Sequence, residues 1–331
     1  MFEKYLANEY VIGTTVIESL DGGLIASFAS VGGKHFLKSF DKFKTIEEQW
    51  VVPFEGMTAC ANLLRLNDGR LMMLVREISS NKEIAAIGGG GFFVTFSDDD
   101  GRTFGELHKI HKEDNCYYVM NNRIFRTHSG RILIPVCYVT NAFISKDLQE
   151  KAGYAGCFYS DDEGATWNVG EWLENKNVDQ LAEPMVAQGT DDVLHMYART
   201  GYGYLYHSCS RDDGITWDTA KPSILRSPCA PFCVNYDKYS NKYFAIWDNT
   251  FPAEEHAGPR TPICLAVSDD CVNWKMCFEL DNEPLYSYGY PMMYFDKDEI
   301  MIVYYENPSR RWNPEAHKLK MKLFPRNEIL F

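Results

Sequence analysis

A short acidic turn recurs five times along the chain, and no other feature constrains the fold as strongly. Full copies read SDDDGRTF (97–104), SDDEGATW (160–167) and SRDDGITW (210–217), and shorter copies read SDDCVNW (268–274) and SFDKFKT (39–45). In every copy an aspartate stands two residues after a serine: Asp41, Asp99, Asp162, Asp212 and Asp270. We call this element the Ser-x-Asp turn. A recurring unit of this kind is typical of folds built from copies of one small motif.

A second element, a turn that opens an apolar run, repeats between the Ser-x-Asp turns. It occurs six times, at intervals of roughly 50 to 60 residues: LDGGLIASF (20–28), NDGRLMMLV (67–75), HSGRILIPV (128–136), TDDVLHMYA (190–198), SNKYFAIWD (240–248) and KDEIMIVYY (297–305). A short apolar run precedes most of these turns, and a third run leads into the Ser-x-Asp turn. An aromatic residue then begins a fourth run: Phe104, Trp167, Trp217 and Trp274. Turn residues between short β-prone runs predict hairpins.

Four antiparallel strands repeated six times predict an all-β fold, a six-bladed β-propeller. We expect one domain over residues 1–331, because no linker or low-complexity run divides the chain. Five blades, or two packed sandwiches, are the structural alternatives. Weak helical periodicity occurs only in KSFDKFKTIEEQW (38–50) and NAFISKDLQEKAG (141–153), and the second segment is better interpreted as a loop.

Composition and charge narrow the class of partner. The net charge of −13 argues against nucleic acid and anionic membranes, which attract basic surfaces. No apolar run reaches about 18 residues, so no membrane span is predicted. The first residues, MFEKYLANEY, contain no apolar core typical of a secretory signal. The ten cysteines show no paired-ligand spacing; Cys229 and Cys233 come closest. We therefore expect a cytoplasmic protein with reduced thiols.

No cofactor or metal is predicted. The sequence contains neither a Walker A motif nor a dinucleotide-binding fingerprint. None of the eight histidines has metal-ligand spacing, and His128, His195 and His207 are interpreted as solvated or core strand residues.

The Ser-x-Asp turns are interpreted as architecture, since the aspartate of such a turn accepts backbone N–H bonds. A binding site is expected instead where first strands begin and second strands end, around the propeller axis. Several arginines fall there in an otherwise acidic protein, a combination that suits an anionic small ligand. The candidates at these positions are Asn62, Arg76, Arg123, Glu183, Arg199, Asp248, Tyr290, Tyr305 and Glu306, and Arg260 heads the third strand of blade five.

The later repeats carry the most specific pattern. In LAEPMVAQGTDDVLHMYARTGYGYLYHSCS, Glu183 and Arg199 stand sixteen residues apart. Arg260 precedes a strand that ends in a Ser-x-Asp turn, in RTPICLAVSDD, and Tyr290 opens the next repeat, in YGYPMMYF. Together with the Ser-x-Asp turns, known as Asp boxes, these features resemble the sialidase (neuraminidase) superfamily of the bacterial sialidase and BNR-repeat type. The resemblance runs over essentially the whole chain.

The resemblance implies a retaining glycoside hydrolase that acts on an acidic oligosaccharide or glycoside. Tyr290 would attack the anomeric carbon and Glu183 would take the phenolic proton, with Tyr288 and Tyr286 as other candidates for the nucleophile. Arg199 and Arg260 would bind the substrate carboxylate. A neutral phenol suits a sugar with a carboxylate on its anomeric carbon, because that carboxylate repels an anionic nucleophile.

Two parts of the family pattern are missing. Ala59 stands where the family's first arginine belongs, so Arg76 or Arg123 would have to supply a third arm of the clamp. The loop REISSNKEIAAIGGGG lacks the family's acid/base aspartate, and Glu83 is the available substitute. A non-catalytic carbohydrate-binding propeller, and a lyase or uronic-acid glycosidase using the same site, therefore stay open as alternatives. The oligomeric state is not predicted.

Overall fold

The computed structural model describes residues 1–8, 11–30, 32–54, 57–78, 90–112, 117–140, 152–173, 181–251, 259–309 and 316–329. Their strands form six antiparallel sheets. Sheet one contains β2 (Ile12–Glu18), β3 (Leu24–Ser30), β4 (Gly33–Ser39) and β5 (Glu48–Val52). Sheet two contains β6 (Met57–Arg65), β7 (Leu71–Ile78), β8 (Gly90–Ser97) and β9 (His108–Lys109). Sheet three contains β10 (Tyr117–Tyr118), β11 (Phe125–Arg126), β12 (Ile132–Thr140), β13 (Ala152–Ser160) and β14 (Asn168–Val169).

The remaining sheets repeat the same order. Sheet four contains β15 (Ala182–Gln188), β16 (Leu194–Arg199), β17 (Tyr204–Ser210) and β18 (Lys221–Arg226). Sheet five contains β19 (Cys233–Asp237), β20 (Lys242–Asp248), β21 (Ile263–Ser268) and β22 (Lys275–Asp281). Sheet six contains β23 (Ser287–Phe295), β24 (Glu299–Asn307), β25 (Lys318–Pro325) and β1 (Phe2–Ala7), and a short helix α1 (Arg326–Ile329) follows β25.

The sheets are the blades of a ring. First strands of neighbouring blades contact each other, β2 with β6, β15 with β19, β19 with β23, and β23 with β2. In blade three, where the first strand is interrupted, Asn62 of β6 accepts a hydrogen bond from the backbone N–H of Arg123. The N-terminal β1 pairs with β25 and so completes the sixth blade. The predicted six-bladed β-propeller is confirmed, and the five-blade and sandwich alternatives are excluded.

Burial explains the apolar runs found in the sequence. In β7, all five residues of LMMLV (71–75) are fully buried, because both faces of a blade pack against neighbouring blades. Each predicted hairpin turn joins the first two strands of a blade. No helix among the described residues is long and apolar enough to cross a membrane.

Each Ser-x-Asp turn joins the third and fourth strands of a blade and is internally hydrogen-bonded. In blade three, Asp162 accepts bonds from the backbone N–H of Thr166 at 2.8 Å and from its hydroxyl at 2.6 Å, and Ser160 Oγ accepts from the Gly164 N–H. Gly164 has φ +84°, a left-handed conformation that glycine adopts readily. Such a turn explains the recurring Ser, Asp, Gly and Thr.

One sequence prediction is wrong. The segment 38–50 is not helical, because it contains the end of β4, a Ser-x-Asp turn and the start of β5. Of the second helical candidate, residues 141–151 lie outside the described part of the chain.

Candidate active site

The second strands of blades two to six each bring one residue to the same end of the blade. In blades two to five, a residue at the start of this strand pairs with the serine of the Ser-x-Asp turn: Leu71 with Ser97, Ile132 with Ser160, Leu194 with Ser210, and Tyr243 with Ser268. Five residues further along stand Arg76, Cys137, Arg199 and Asp248, and Tyr305 lies near the same end of β24. Repetition of the blade therefore gathers two cations, a carboxyl, a thiol and a phenol.

Glu183 and Tyr290 share an unusual backbone conformation at the axial ends of first strands. Both have φ +47°, and each lies within an irregularity of the β-ladder, between Ala182 and Met185 in β15 and between Gly289 and Met292 in β23. A left-handed conformation costs a side chain about 1–2 kcal/mol. The following residue is proline in both cases, which leaves no backbone N–H unpaired where the ladder is interrupted. These bulges aim the two side chains away from the regular strand faces.

Glu183 and Arg199 form a buried ion pair. Arg199 Nη2 lies 2.8 Å from Glu183 Oε1, and the two residues are only 9% and 5% exposed. Burial by itself would lower the pKa of Arg199, but Glu183, Cys229 and Tyr290 together outweigh this effect and raise the pKa. Arg199 Nε and Nη1 and Glu183 Oε2 have no hydrogen-bond partner among the described residues. The pair thus keeps two donors and one acceptor for another molecule.

Arg260 provides a second buried cation. Its Nη1 donates to Tyr305 Oη at 2.7 Å, whereas its Nε has no partner in the described part of the chain. Burial opposes the charge of Arg260, but Tyr305, Tyr290 and Asp248 together raise its pKa. Asp248 is 1% exposed, and neither of its oxygens has a partner among the residues described. Burial raises the pKa of Asp248 well above its usual range, and the charge of Arg260 acts in the opposite direction.

Tyr290 lies among these groups. Its ring centroid is 5.5 Å from that of Tyr305, and Asn121 Nδ2 donates to its carbonyl at 3.2 Å. Burial and then the negative charge of Glu183 raise the pKa of the phenol, while Arg199 and Arg260 act in the opposite direction. The phenol is therefore neutral near pH 7. The Glu183 carboxylate and the guanidinium groups of Arg199 and Arg260 lie close enough to act on it electrostatically. We call Glu183, Arg199, Asp248, Arg260, Tyr290 and Tyr305 the hub site.

Comparison with known proteins identifies the family. A family model described as BNR repeat-like domain matches residues 47–302. The chain belongs to this BNR repeat-like family. A curated relative, the anhydrosialidase of Macrobdella decora, is 26% identical over 137 residues, which cover 39% of this chain and 16% of that protein. The matched region thus spans about a sixth of the relative's length.

Solved structures agree on the fold. The intramolecular trans-sialidase of Ruminococcus gnavus, in complex with oseltamivir carboxylate, superposes with a TM-score of 0.72 at 15% identity, covering 99% of this chain and 98% of that one. A protein of unknown function from Dyadobacter fermentans gives 0.71 at 17% identity and covers 98% and 99%. A sialidase of Streptococcus pneumoniae gives 0.71 at 13% identity and covers 99% and 70%. The chain thus shares the propeller fold of these structures.

The other predicted site residues of this BNR propeller fall in different environments. Arg76 occupies the blade-two position equivalent to Arg199; its guanidinium lies 4.8 Å from the ring centroid of Tyr118, and its Nε and Nη2 have no described partner. Arg123 is buried, with its guanidinium donating to the carbonyls of Asn121 and Phe232. Arg123 thus fastens the inner strands together. Glu83 lies outside the described residues.

The structure also separates the candidate tyrosines. Tyr288 is fully buried, packs against Tyr304, and has a hydroxyl without a partner among the described residues. Its backbone N–H donates to the Arg260 carbonyl at 3.0 Å. The ladder irregularity that follows Gly289 turns Tyr290, rather than Tyr288, toward Glu183 and the two arginines.

Sequence reasoning did not identify the residue that packs against the Tyr305 ring. The ring of His317 stacks on Tyr305 at 4.6 Å with an interplanar angle of 9°, and burial lowers the pKa of this histidine to about 4. His317 is therefore a neutral ring that holds Tyr305 against Arg260. No repeated motif contains His317, so the sequence offered no signal for this contact.

Proposed function

We propose that this protein is a sialidase-like exo-glycoside hydrolase that acts on a terminal, carboxylate-bearing sugar. One observation carries the proposal: Glu183 and Tyr290, both held in left-handed backbone conformations, lie together with two buried arginines whose N–H groups are partly unpaired among the described residues. Buried donors without partners are costly, so a ligand that accepts from them gains affinity. The family membership supports the same reading.

Arg199 and Arg260 are the proposed carboxylate clamp. Their unpaired donors are Nε and Nη1 of Arg199 and Nε of Arg260, and the burial of both side chains strengthens bonds to an anion. Charge-assisted hydrogen bonds contribute about 1.5–3 kcal/mol each. Arg76, at the equivalent position of blade two, is the proposed third cation.

The proposed chemistry assigns one step to each remaining group. Tyr290 Oη attacks the anomeric carbon, the bond to the leaving oxygen breaks, and the phenolic proton passes to Glu183 Oε2. Because the Glu183 charge disfavours a free phenolate, proton transfer must accompany attack; the transfer also neutralises that charge. Water then cleaves the tyrosyl–sugar bond, and the phenol regains its proton. The leaving group requires a general acid, for which the sequence offers Glu83.

Replacement of Tyr290 by phenylalanine tests this role. We expect Tyr290→Phe to lower kcat on an aryl glycoside of an acidic sugar at least about 10³-fold, because the nucleophile is removed. Binding of an unsaturated sialic-acid analogue should change little, since the arginines are intact. Tyr288→Phe is the matched control, because it removes a buried hydroxyl two residues away in the same strand. Equal turnover by wild type and Tyr290→Phe would overturn the assignment.

Product analysis separates the alternative functions. Ala59, in place of the family's first arginine, favours a non-catalytic carbohydrate-binding propeller as the second candidate. Binding of acidic sugars without turnover of any aryl acidic glycoside would support it. A lyase would release an unsaturated product that absorbs in the ultraviolet. Intramolecular transfer would release an anhydro sugar lighter by one water than the hydrolysis product, which mass spectrometry resolves.

A further inference from the structure

Blade four carries a second cluster of reactive side chains that the proposed activity does not use. His195 Nδ1 lies 3.0 Å from His207 Nε2, and Cys209 Sγ lies 3.7 Å from each of these nitrogens. His195 is buried, whereas His207 and Cys209 are partly exposed. The cluster lies between the two middle strands of the blade, several residues before Arg199, the end of β16 at the axis.

The pairing of β16 with β17 brings these residues together. His195 stands directly opposite Cys209, and His207, two residues before Cys209, shares its face of the sheet. Directly opposite and diagonal residues on one face of an antiparallel pair are within side-chain reach. The spacing of the two histidines along the sequence did not indicate that they lie close to Cys209, because this proximity arises from the strand register. The interpretation of His195 and His207 as ordinary strand residues therefore missed their convergence.

We propose that His195, His207 and Cys209 form a zinc site. With Zn–N bonds of about 2.0–2.1 Å and a Zn–S bond of about 2.3 Å, tetrahedral geometry requires edges of about 3.3 Å between nitrogens and about 3.6 Å between nitrogen and sulfur. The observed 3.0, 3.7 and 3.7 Å approximate that triangle. Two imidazoles and one thiolate are ligands that zinc prefers.

The surroundings hold the ligands in place. The ring of Tyr243 contacts His195 edge-on at 5.5 Å, and the ring of Tyr197 lies 4.7 Å from that of His207. Tyr197 is itself fixed, because its hydroxyl donates to the Cys271 carbonyl at 2.6 Å and accepts from Trp274 Nε1 at 2.8 Å. Tyr243 of blade five thus restricts the His195 imidazole, and Tyr197 of blade four restricts that of His207, which lowers the entropy lost when a metal binds.

The local charge favours a cation. Carboxylates of Asp191 and Asp270 act electrostatically on His195, and Asp191 also acts on Cys209. Asp218 and Asp270 act on His207, while Arg211 opposes them at His195 and Cys209. The partial exposure of Cys209 gives an ion access from solvent and leaves the fourth coordination position to water. Such a site would fasten the middle strands of blade four to each other.

Metal content and a cobalt spectrum test the proposal. Purified wild-type protein, exchanged into buffer after addition of zinc chloride, should retain about one zinc ion per chain. Cobalt chloride added to metal-free protein should produce the intense visible bands of four-coordinate Co²⁺ and a thiolate-to-cobalt charge-transfer band. Cys209→Ser should remove the charge-transfer band, and His207→Gln should abolish stoichiometric zinc retention.

Matched substitutions exclude general effects of losing a thiol or an imidazole. Cys277→Ser removes another partly buried free thiol, and His128→Gln removes an exposed imidazole; both variants should retain zinc. Zinc should raise the unfolding temperature of wild type and of these controls only. Equal zinc retention by wild type and Cys209→Ser, or the weak spectrum of octahedral Co²⁺ in the wild type, would show that the cluster is only a hydrogen-bonded trio. The wild-type spectrum decides the question even if a variant misfolds.

Discussion

We call the Ser-x-Asp turns the rim of the propeller and compare them with the hub site. Both regions contain acidic side chains and left-handed residues, but the carboxylates of the rim are hydrogen-bonded, whereas the hub site contains polar atoms without a partner among the described residues. At the rim, Asp162 accepts bonds from Ser160 and Thr166, and Glu163, with φ +56°, accepts from Arg126. At the hub, Glu183 is also left-handed, yet one of its oxygens has no partner in the described part of the chain. Carboxylates and positive φ values alone therefore do not distinguish architecture from a site.

Rim and hub differ in whether hydrogen bonds offset the free-energy cost of their left-handed backbone conformations. Each left-handed residue costs about 1–2 kcal/mol, and at the rim the hydrogen bonds of the Ser-x-Asp turn offset it. The hub combines that cost with buried, unpaired donors on Arg199 and Arg260. Such a combination persists where the surrounding structure enforces it, and it is characteristic of functional sites. The following predictions test the contrast.

Among the variants that compare hub and rim, the largest effect is expected at Glu183. Glu183→Gln removes the proposed base but keeps an acceptor for Arg199 Nη2, so turnover of an aryl acidic glycoside should fall about 10²–10⁴-fold. Affinity for a carboxylated analogue should hold or rise, because a negative charge beside the clamp is lost. Release of the aryl group measures turnover, and titration calorimetry measures affinity for the analogue.

A second buried glutamate provides the control for Glu183. Glu306 is 6% exposed and is paired with Lys320 and the Tyr5 hydroxyl, away from the proposed chemistry. Glu306→Gln should lower stability and leave kcat within a few-fold of wild type. If the two variants lose turnover equally, Glu183 has no special role and the contrast between hub and rim fails.

A smaller effect is expected for the clamp. Arg260→Lys keeps the charge but loses the planar guanidinium, so affinity for the carboxylated analogue should fall about tenfold or more through loss of a charge-assisted bond worth about 1.5–3 kcal/mol. Binding of the corresponding neutral sugar should change little. Arg123→Lys is the matched control, because the Arg123 guanidinium bonds to backbone carbonyls of the inner strands. It should lower the unfolding temperature and leave affinity unchanged; the reverse pattern would place Arg123 in the clamp.

How far the sequence predicts each region follows from the range of the interactions. The rim was predictable in detail, because a Ser-x-Asp turn such as 160–167 is bonded within its own eight residues. The fold followed, since the six copies of the hairpin turn between these elements give the number of blades. The grouping of Glu183 with Arg199 also followed from the hairpin that joins β15 and β16.

What the sequence missed depends on contacts between distant parts of the chain. The stacking of His317 on Tyr305 and the attachment of Arg123 to the Phe232 carbonyl join different segments without any repeated spacing. The cluster of His195 and Cys209 depends on strand register, which a one-residue slip would destroy. The weak helical candidate 38–50 was wrong because its local periodicity spans a turn between two strands.

The smallest effect is expected at the rim, in stability rather than activity. Asp162→Ala leaves the Thr166 N–H and hydroxyl without their acceptor, and because Asp162 is exposed, we expect a loss of about 1–2 kcal/mol in the free energy of unfolding. Turnover and ligand affinity should not change. Asp161→Ala, at the neighbouring position whose carboxylate bonds only to Arg131 among the described contacts, should cost less. Denaturant titration of both variants measures the difference.

The pH dependence of that loss identifies its cause. Burial alone would raise the pKa of Asp162, but hydrogen bonds from Thr166 and Ser160 outweigh burial and lower it. An aspartate with a lowered folded-state pKa stabilises the protein fully above its unfolded value of about 3.9, and this stabilisation disappears as the pH falls through the folded value. The difference between wild type and Asp162→Ala should therefore be constant from about pH 5 to 8 and shrink below about pH 4. A difference that stayed constant into acid would mean that the ionised carboxylate does not hold the turn, and the rim would then lose the feature that sets it apart from the hub.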